Sequence, residues 1–335
     1  MNERALLARL IEGPASGDAL ARASGQTRAA VWKRIEALRE AGVPIDAQAG
    51  RGYALSQPLD LLDSDAIAAG LPPPARARTS SIEVAWTLDS TNSELLRKPG
   101  ATDGVATVLL AERQTGGRGR RGREWASPLA AHVYLSLSRG FAGGLSRLGG
   151  LSLVAGIATA EALHALGFTG VGLKWPNDLV VVEPDGGLRK LGGLLVEGGG
   201  EHAGPVRAVI GLGLNVRMPE AFAARIEQPW CDLAALAPAT AALPSRNAVA
   251  AALLARWLPA LDEFDADGLA PFLRRYTALD ALAGHPVAVH GDQQALTGTV
   301  LGLAEDGALQ VRLDDGRERR FHSGEVSVRR AGIDA

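Results

Sequence analysis

The sequence predicts an α/β protein in three parts: an N-terminal helix-turn-helix with a wing, a central domain of mixed sheet and helices, and a small C-terminal β-barrel. Three observations lead there. Apolar residues recur at helical spacing from Asn2 to about Ala41. Strand-like and helix-like runs interleave from Ile82 to about Gly268, and short alternating segments separated by Gly and Asp turns follow from Ala283. With 335 residues the chain has the length for two or three domains and a sizeable core. We place the boundaries at 1–60 for the winged helix, 61–81 for a linker, 82–275 for the central domain and 280–331 for the barrel.

The first part reads as three short helices, ALLARLI, DALARAS and RAAVWKRIEALREAG, broken at Gly13-Pro14 and Ser24-Gly25. Ser16 and Thr27 suit N-caps, and Gly42 stops the third helix. That third helix carries Arg28, Lys33, Arg34 and Arg39 against Glu36 and Glu40, a basic excess suited to phosphate contact. Thr27, Arg28, Lys33 and Arg34 are the candidate DNA-binding residues. Trp32 can face either a groove or the core. VPIDAQAGRGYAL alternates as a hairpin, which would form the wing. Next, GLPPPARARTSS holds three consecutive prolines, and we expect an extended, semi-rigid spacer there.

In the central part the expected strands are EVAWTL, ATVLLAE, HVYLSLS, GLKW, LVVV and AVIGLGLNV, and the expected helices are SRLGGLSLVAGIATAEALHALG and NAVAAALLARWLPALDEF. The barrel strands are PVAVH, ALTGTVLGLA, ALQVRLD, RERRFH and VSVRR, with turns at Gly291-Asp292, Glu305-Asp306-Gly307 and Asp314-Asp315-Gly316.

Composition narrows the chemistry. Hydrophobic residues make up 47% and charged residues 21%, a globular balance. No run of about 18 uncharged apolar residues occurs, so neither a signal peptide nor a membrane span is expected and the cytoplasm is the expected compartment. Cys231 is the only cysteine, which excludes an internal disulfide and a thiolate metal cluster and suits packing better than nucleophilic attack. The six histidines are scattered, with no chelating pair at helical spacing. With 35 basic and 37 acidic residues, any nucleic-acid contact must be confined to one module.

The most informative segment is ERQTGGRGRRGREW, Glu112 to Trp125, where four glycines alternate with Arg118, Arg120, Arg121 and Arg123. Glycines let the backbone approach an anion, and guanidiniums neutralise phosphate or carboxylate through planar forks. The segment is neither a Walker loop nor a dinucleotide fingerprint. In GLKWPNDLVVV, Pro176 ends a strand and brings Lys174, Asn177 and Asp178 into the open together, where an amine can neutralise phosphate charge and a carboxylate can hold magnesium or accept a ligand N–H. RKLGGLLVE sets Lys190 before Gly192 and Gly193, and IGLGLNV places Gly211 and Gly213 inside a strand before Asn215; strand glycines mark close approach of backbone or ligand. DSTN, Asp89 to Asn92, offers small hydroxyl and amide groups for a neutral ring, or an N-cap for NSELLRK.

Together these residues resemble the biotin-protein ligases, specifically the bifunctional bacterial type that is also the biotin operon repressor. The signatures DSTN, QTGGRGRRGREW, KWPNDL, RKLGGLLVE and GLGLN stand in that order, between the winged helix and the barrel, so the resemblance spans nearly the whole chain. It implies a catalytic domain of the class II aminoacyl-tRNA-synthetase and biotin-ligase type and an SH3-like C-terminal barrel. It also implies that Ser90, Thr91 and Asn92, with Gln114 and Lys190, hold the biotin ring and tail, while Arg118, Gly119 and Arg120 close over the carboxylate and α-phosphate. Trp125 would cover adenine, Arg121 would serve the ATP side, Lys174, Asn177 and Asp178 would lie at the reacting phosphate, and Asn215 near the nucleotide. Arg118, Arg120, Lys174, Asp178 and Lys190 would form the catalytic set.

By the same resemblance the substrates are biotin and ATP with Mg2+, the ion bound with ATP rather than by a protein site. The partners would be the biotin carboxyl carrier protein of acetyl-CoA carboxylase, biotin operator DNA and, with adenylate bound, a second copy meeting the first through central sheet edges. The arginine loop would order over the adenylate. Three other readings fit less of the sequence: a ligase whose N-terminal module does not bind DNA, a sensor with a decayed ligase domain, and a lipoate-loading relative.

Overall fold

The computed structural model describes residues 2–48, 50–100, 104–142, 145–200, 206–238, 240–290, 295–323 and 327–330. At the N-terminus lie α1 (Glu3–Ile11), α2 (Gly17–Ser24) and α3 (Arg28–Glu40). Each starts where a side chain satisfies an orphan N–H: Asn2 accepts from Ala5, Ser16 from Ala19 and Thr27 from Ala30. Leu6, Leu7, Leu10, Leu20, Val31, Ile35 and Leu38 form the core of this unit. β1 (Ile45–Gln48) and β2 (Gly52–Leu55) pair antiparallel as the wing. Trp32, 53% exposed, lies outside that core.

The winged helix is seated on the central domain. Ala41 O accepts from Leu129 N at 2.8 Å, Trp86 Nε1 donates to Glu3 at 3.2 Å, and Leu129 and Ala130 join the N-terminal core. Gly42 has φ 104°, and a Cβ there would meet Pro128 at 2.8 Å and Phe222 at 2.9 Å, so glycine is required by conformation and by space.

The expected extended spacer is corrected. Within GLPPPARARTSS stands α5 (Pro73–Ala77), preceded by α4 (Ser64–Ala69), and both pack against a long later helix. Pro72 is the N-cap of α5 and the two following prolines fill its first turn, where a missing N–H leaves no bond unmade.

The central domain continues with β3 (Thr79–Ala85), α6 (Thr91–Arg97), β4 (Ala106–Ala111), β5 (Val133–Phe141), α7 (Leu151–Ala165), β6 (Val171–Lys174), β7 (Asp178–Val182), β8 (Leu188–Gly200) and β9 (Val206–Leu214). After them come the short α8 (Glu220–Ala223) and α9 (Leu233–Leu236), then α10 (Arg246–Asp267) and α11 (Ala270–Thr277). The first strand begins before the expected EVAWTL and ends at Ala85, because Trp86 turns away to the winged helix.

One seven-stranded sheet runs β3-β4-β5-β9-β8-β7-β6, with β3 and β4 parallel and the other pairs antiparallel. It is a mixed sheet, as expected. α7 and α10 pack against each other and the sheet. The stretch Leu148–Ala165 is, by length and composition alone, apolar enough to cross a membrane, but 67% of it is buried as the central core helix. Its only Asp, Glu, Lys or Arg is Glu161, paired with Arg275 at 2.7 Å.

A buried ion pair ties the domain together. Glu112, fully buried after β4, accepts from Arg246 at 2.8 Å and from Leu62 N at 2.6 Å. Arg246 also donates to His132 O at 3.1 Å and to Asp60 O.

The C-terminal unit consists of β10 (Pro286–His290), β11 (Leu296–Leu303), β12 (Leu309–Leu313), β13 (Glu318–Phe321) and β14 (Ser327–Arg330). They form a five-stranded antiparallel sheet in the order β13-β12-β11-β10-β14, in keeping with the SH3-like expectation. The expected turn at Gly291-Asp292 lies outside the described residues. Trp175 Nε1 donates to Gly307 O at 3.1 Å, which fixes this unit to the central domain beside β6. The outer edge of β6 is itself occupied: Leu173 N donates to Leu279 O at 2.7 Å and Ala281 N to Leu173 O at 2.8 Å.

Candidate active site

Two clusters, joined by the arginine loop, carry most of the singled-out residues. The first is built on the start of α6. Ser90 is the N-cap of that helix, the capping reading of DSTN, and it is buried beside Thr91 and Asn92. Gln114 Oε1 accepts from Thr91 N at 2.8 Å and from Thr91 Oγ1 at 3.2 Å. Asn92 reaches across the sheet: its amide donates to Leu195 O at 3.1 Å and to Glu197 at 2.9 Å, while its Oδ1 accepts from Ser136 at 2.6 Å. A Cβ at position 211 would stand 2.2 Å from Asn92 Oδ1, so the first glycine of GLGLN exists to admit this side chain.

The second cluster lies on β7 and β8. Asp178 and Gly193 are register partners, and Lys190 Nζ stands 2.8 Å from Asp178 Oδ1 and 5.5 Å from the Trp125 ring centroid. Lys174 is the cross-strand partner of Asp178. Asn177 donates to Leu194 O at 2.8 Å and accepts from Arg120 at 3.2 Å. Trp125 lies against β9, where a Cβ at position 213 would meet its ring at 2.5 Å; the second glycine of GLGLN makes room for the indole. The indole Nε1 is buried with no hydrogen-bond partner among the described residues.

The arginine loop spans both clusters. It is closed on itself by Gly119 N donating to Arg123 O at 2.7 Å and Trp125 N donating to Gly117 O at 2.9 Å. Residues Arg120–Gly122 make one 3-10 turn, in which Arg121 has φ 57° and Gly122 φ 70°. Arg118 donates to Ser93 at 2.9 Å and to Glu197 at 3.2 Å. Arg120 extends the other way, to Asn177 and to Ser323 O of the C-terminal unit. Burial, then the neighbouring Arg121, pulls the Arg120 pKa below the ordinary guanidinium value, opposed by Asp178. A cation held against desolvation and a like charge is one that gains most from an incoming anion.

Asn215 is buried, and its amide donates to Cys231 O at 3.0 Å. Burial pushes the Cys231 thiol up to about 12, which removes it as a nucleophile at neutral pH. No group of three or more His, Cys, Asp or Glu side chains that could hold a metal occurs among the described residues. Asp178 and Glu197 each face a cation, Lys190 and Arg118 respectively.

On the winged helix, Thr27, Arg28 and Lys33 are exposed together on the first turns of α3. Arg28 also pairs with Asp18 at 3.2 Å and Arg34 donates to Gln26 at 2.8 Å. Arg39 turns back to Ile45 O and Glu36, so it braces the wing. Sequence reasoning missed Glu197 and Ser136, the partners of Asn92, and the exposed Arg51 beside the wing turn.

Three family models match this chain: the HTH domain at residues 2–54, the biotin/lipoate A/B protein ligase family at 86–215 and the biotin protein ligase C-terminal domain at 283–329. The bifunctional ligase/repressor BirA of Salmonella typhimurium is 38% identical over 316 residues, covering 94% of this chain and 93% of its own. Its counterpart from Escherichia coli is 37% identical over the same shares. Among solved structures, the biotin protein ligase from Aquifex aeolicus in complex with biotin and ATP aligns with a TM-score of 0.61 at 27% identity, over 75% of this chain and all of that one. The fold and site thus define a biotin protein ligase with an appended helix-turn-helix. The chain belongs to the bifunctional ligase/repressor family of these enzymes.

Proposed function

We propose that this chain activates biotin with ATP as biotinyl-5'-AMP, transfers it to a lysine of the biotin carboxyl carrier protein of acetyl-CoA carboxylase, and represses biotin-synthesis genes when it holds the adenylate. The observation that carries the reading is the arginine loop, two of whose arginines each reach one cluster: Arg118 bonds Ser93 and Glu197 beside Thr91, Asn92 and Gln114, and Arg120 bonds Asn177 of the Lys190–Asp178–Asn177 group. A neutral ring in the first cluster and a phosphate at the second would place biotin's tail beneath the loop.

In the first step a biotin carboxylate oxygen attacks the α-phosphorus of ATP, and pyrophosphate leaves. In the second a carrier amine attacks the acyl carbon, and AMP leaves. Mg2+ bound with ATP would add charge neutralisation on the phosphates. Lys174, Lys190 and Arg120 orient and neutralise the α-phosphate, Asp178 fixes the Lys190 ammonium, Arg118 holds the biotin carboxylate, and Gly119 lets the loop approach. Trp125, with Arg121 and Asn215 on the nucleotide side, would bound the adenine. Thr27, Arg28, Lys33 and Arg34 would meet DNA, with the protein in the cytoplasm. Two copies would pair along the edge of β3, which pairs only β4 among the described residues, when the adenylate is bound, setting two winged helices on a palindrome.

The test is footprinting of DNA upstream of biotin-synthesis genes, with and without biotin plus ATP, alongside carrier biotinylation in the same tube. Protection that needs both ligands supports both activities. Biotinylation without protection removes the repressor reading and leaves the ligase.

A further inference from the structure

Glu197 closes the RKLGGLLVE signature, which gave it no role, and it occupies the junction of the site. Its carboxylate accepts from Asn92 at 2.9 Å and faces Arg118 at 3.2 and 3.4 Å. The side chains are 45% exposed for Arg118 and 27% for Glu197, so the pair sits at the rim of the pocket, within reach of solvent and of ligand. Asn92 in turn is fixed by Ser136 and by the space at Gly211. Glu197 therefore has a rigid partner on one side and, on the other, an arginine carried by a glycine-rich loop.

We propose that Glu197 is a positioning and specificity residue that holds Arg118 in the empty site as a surrogate for the carboxylate of the ligand. The inference rests on the proposed ligase function. A free biotin carboxylate that approaches Arg118 must share it with Glu197, and the two anions repel. Once the carboxylate has become the acyl half of biotinyl-AMP, its charge is gone and the remaining negative charge lies on phosphate, on the Arg120 side. Glu197 thus opposes the unreacted acid more than the adenylate, and biases occupancy toward the activated species. The same carboxylate keeps the loop tethered near the pocket between turnovers.

The experiment measures binding of biotin and of biotinol, its neutral alcohol, to the full chain by calorimetry without ATP. Glu197→Gln keeps an acceptor for Asn92 and removes the charge. Biotin is expected to tighten roughly two- to fivefold relative to biotinol, the range of a partly exposed ion pair. Because the ratio of the two ligands is read, a general loosening of the pocket cancels. Glu197→Ser is a second neutral variant should the first fold poorly. In an Arg118→Gln background the charge removal should no longer change the ratio. A ratio that stays constant or falls on Glu197→Gln overturns the proposal and leaves Glu197 as a support for Asn92. Wild-type protein that binds neither ligand overturns the ligase reading itself, and the proposal with it.

Discussion

Removing either member of the Glu112–Arg246 pair should unfasten the central domain from the segment that leads to the winged helix. Both side chains are essentially sealed from water, at 0% and 2% exposure. Glu112→Gln keeps an acceptor for Leu62 N but leaves the Arg246 charge with only backbone oxygens and a carboxylate of Asp60 at 3.5 Å. Arg246→Met leaves the Glu112 carboxylate buried with one N–H donor. Breaking a buried pair from one side costs about 3–5 kcal/mol, a large share of the roughly 5–15 kcal/mol that holds a domain. At roughly 2–4 °C per kcal/mol for a domain of this size, the melting temperature should fall by about 6–20 °C. The double variant should lose less than the sum of the two by at least about 1.5 kcal/mol, since neither charge is then stranded. Urea and thermal unfolding followed by circular dichroism measure all three. Single variants that lose under about 1 kcal/mol, or a strictly additive cycle, would refute the argument. Limited proteolysis provides a local check: the segment around Asp60–Asp63 should become cleavable first.

Burial raises the Asp280 carboxyl to about 6, against hydrogen bonds from the backbone of Leu282 and Ala283. A raised carboxyl favours the folded state at low pH, and that contribution is lost as pH rises from about 4 through about 6. Asp280→Asn should therefore gain on the wild type across this window, by up to about 3 kcal/mol at pH 7, as seen in pH-dependent melts. Arg120→Gly removes the loop's contact with Asn177 and should release biotinyl-AMP into solution, which rapid filtration would detect; unchanged retention counts against the assigned clamp. Gly213→Ala pushes the Trp125 ring off β9 and should weaken ATP binding about tenfold or more while shifting tryptophan fluorescence. Trp32→Ala, on the exposed face of α3, should weaken DNA binding by about tenfold in a footprint titration, in the range of one lost base contact.

The sequence was most legible where a local rule decides. Ser16 and Thr27 cap α2 and α3 because a hydroxyl two or three residues ahead of an orphan N–H needs nothing from the rest of the fold. The strand runs were legible for the same reason, since alternation is a property of neighbours. The prolines of α5 misled because proline reads as a breaker except in the first turn, and only packing against α10 reveals that a first turn is there. α11, eight residues with two arginines, went unread because its apolar face is defined by α7 and β11 rather than by its own length. Within the site, the motifs gave the residues but not their partners. Glu197 meets Asn92 across a separation of 105 positions and Ser136 meets it across 44, and no spacing rule connects such pairs. Gly211 and Gly213 were legible as points of close approach, but which side chains fill the space, Asn92 and Trp125, follows only from the ladder between β8 and β9.

The backbone run at Leu279–Ala281, which takes up both backbone polar groups of Leu173 on β6, bears on how copies of this molecule could assemble. A sheet with both borders bare can be extended without end, each newcomer presenting a fresh border to the next, and that is the geometry of a fibre. Here one border of the central sheet is already stitched by the chain's own descent into the C-terminal unit, leaving β3 as the other. Were two molecules to join border to border through β3, that sheet would have no unpaired border among the described residues to offer a third. Association by that proposed route would terminate at a pair, however high the concentration rises.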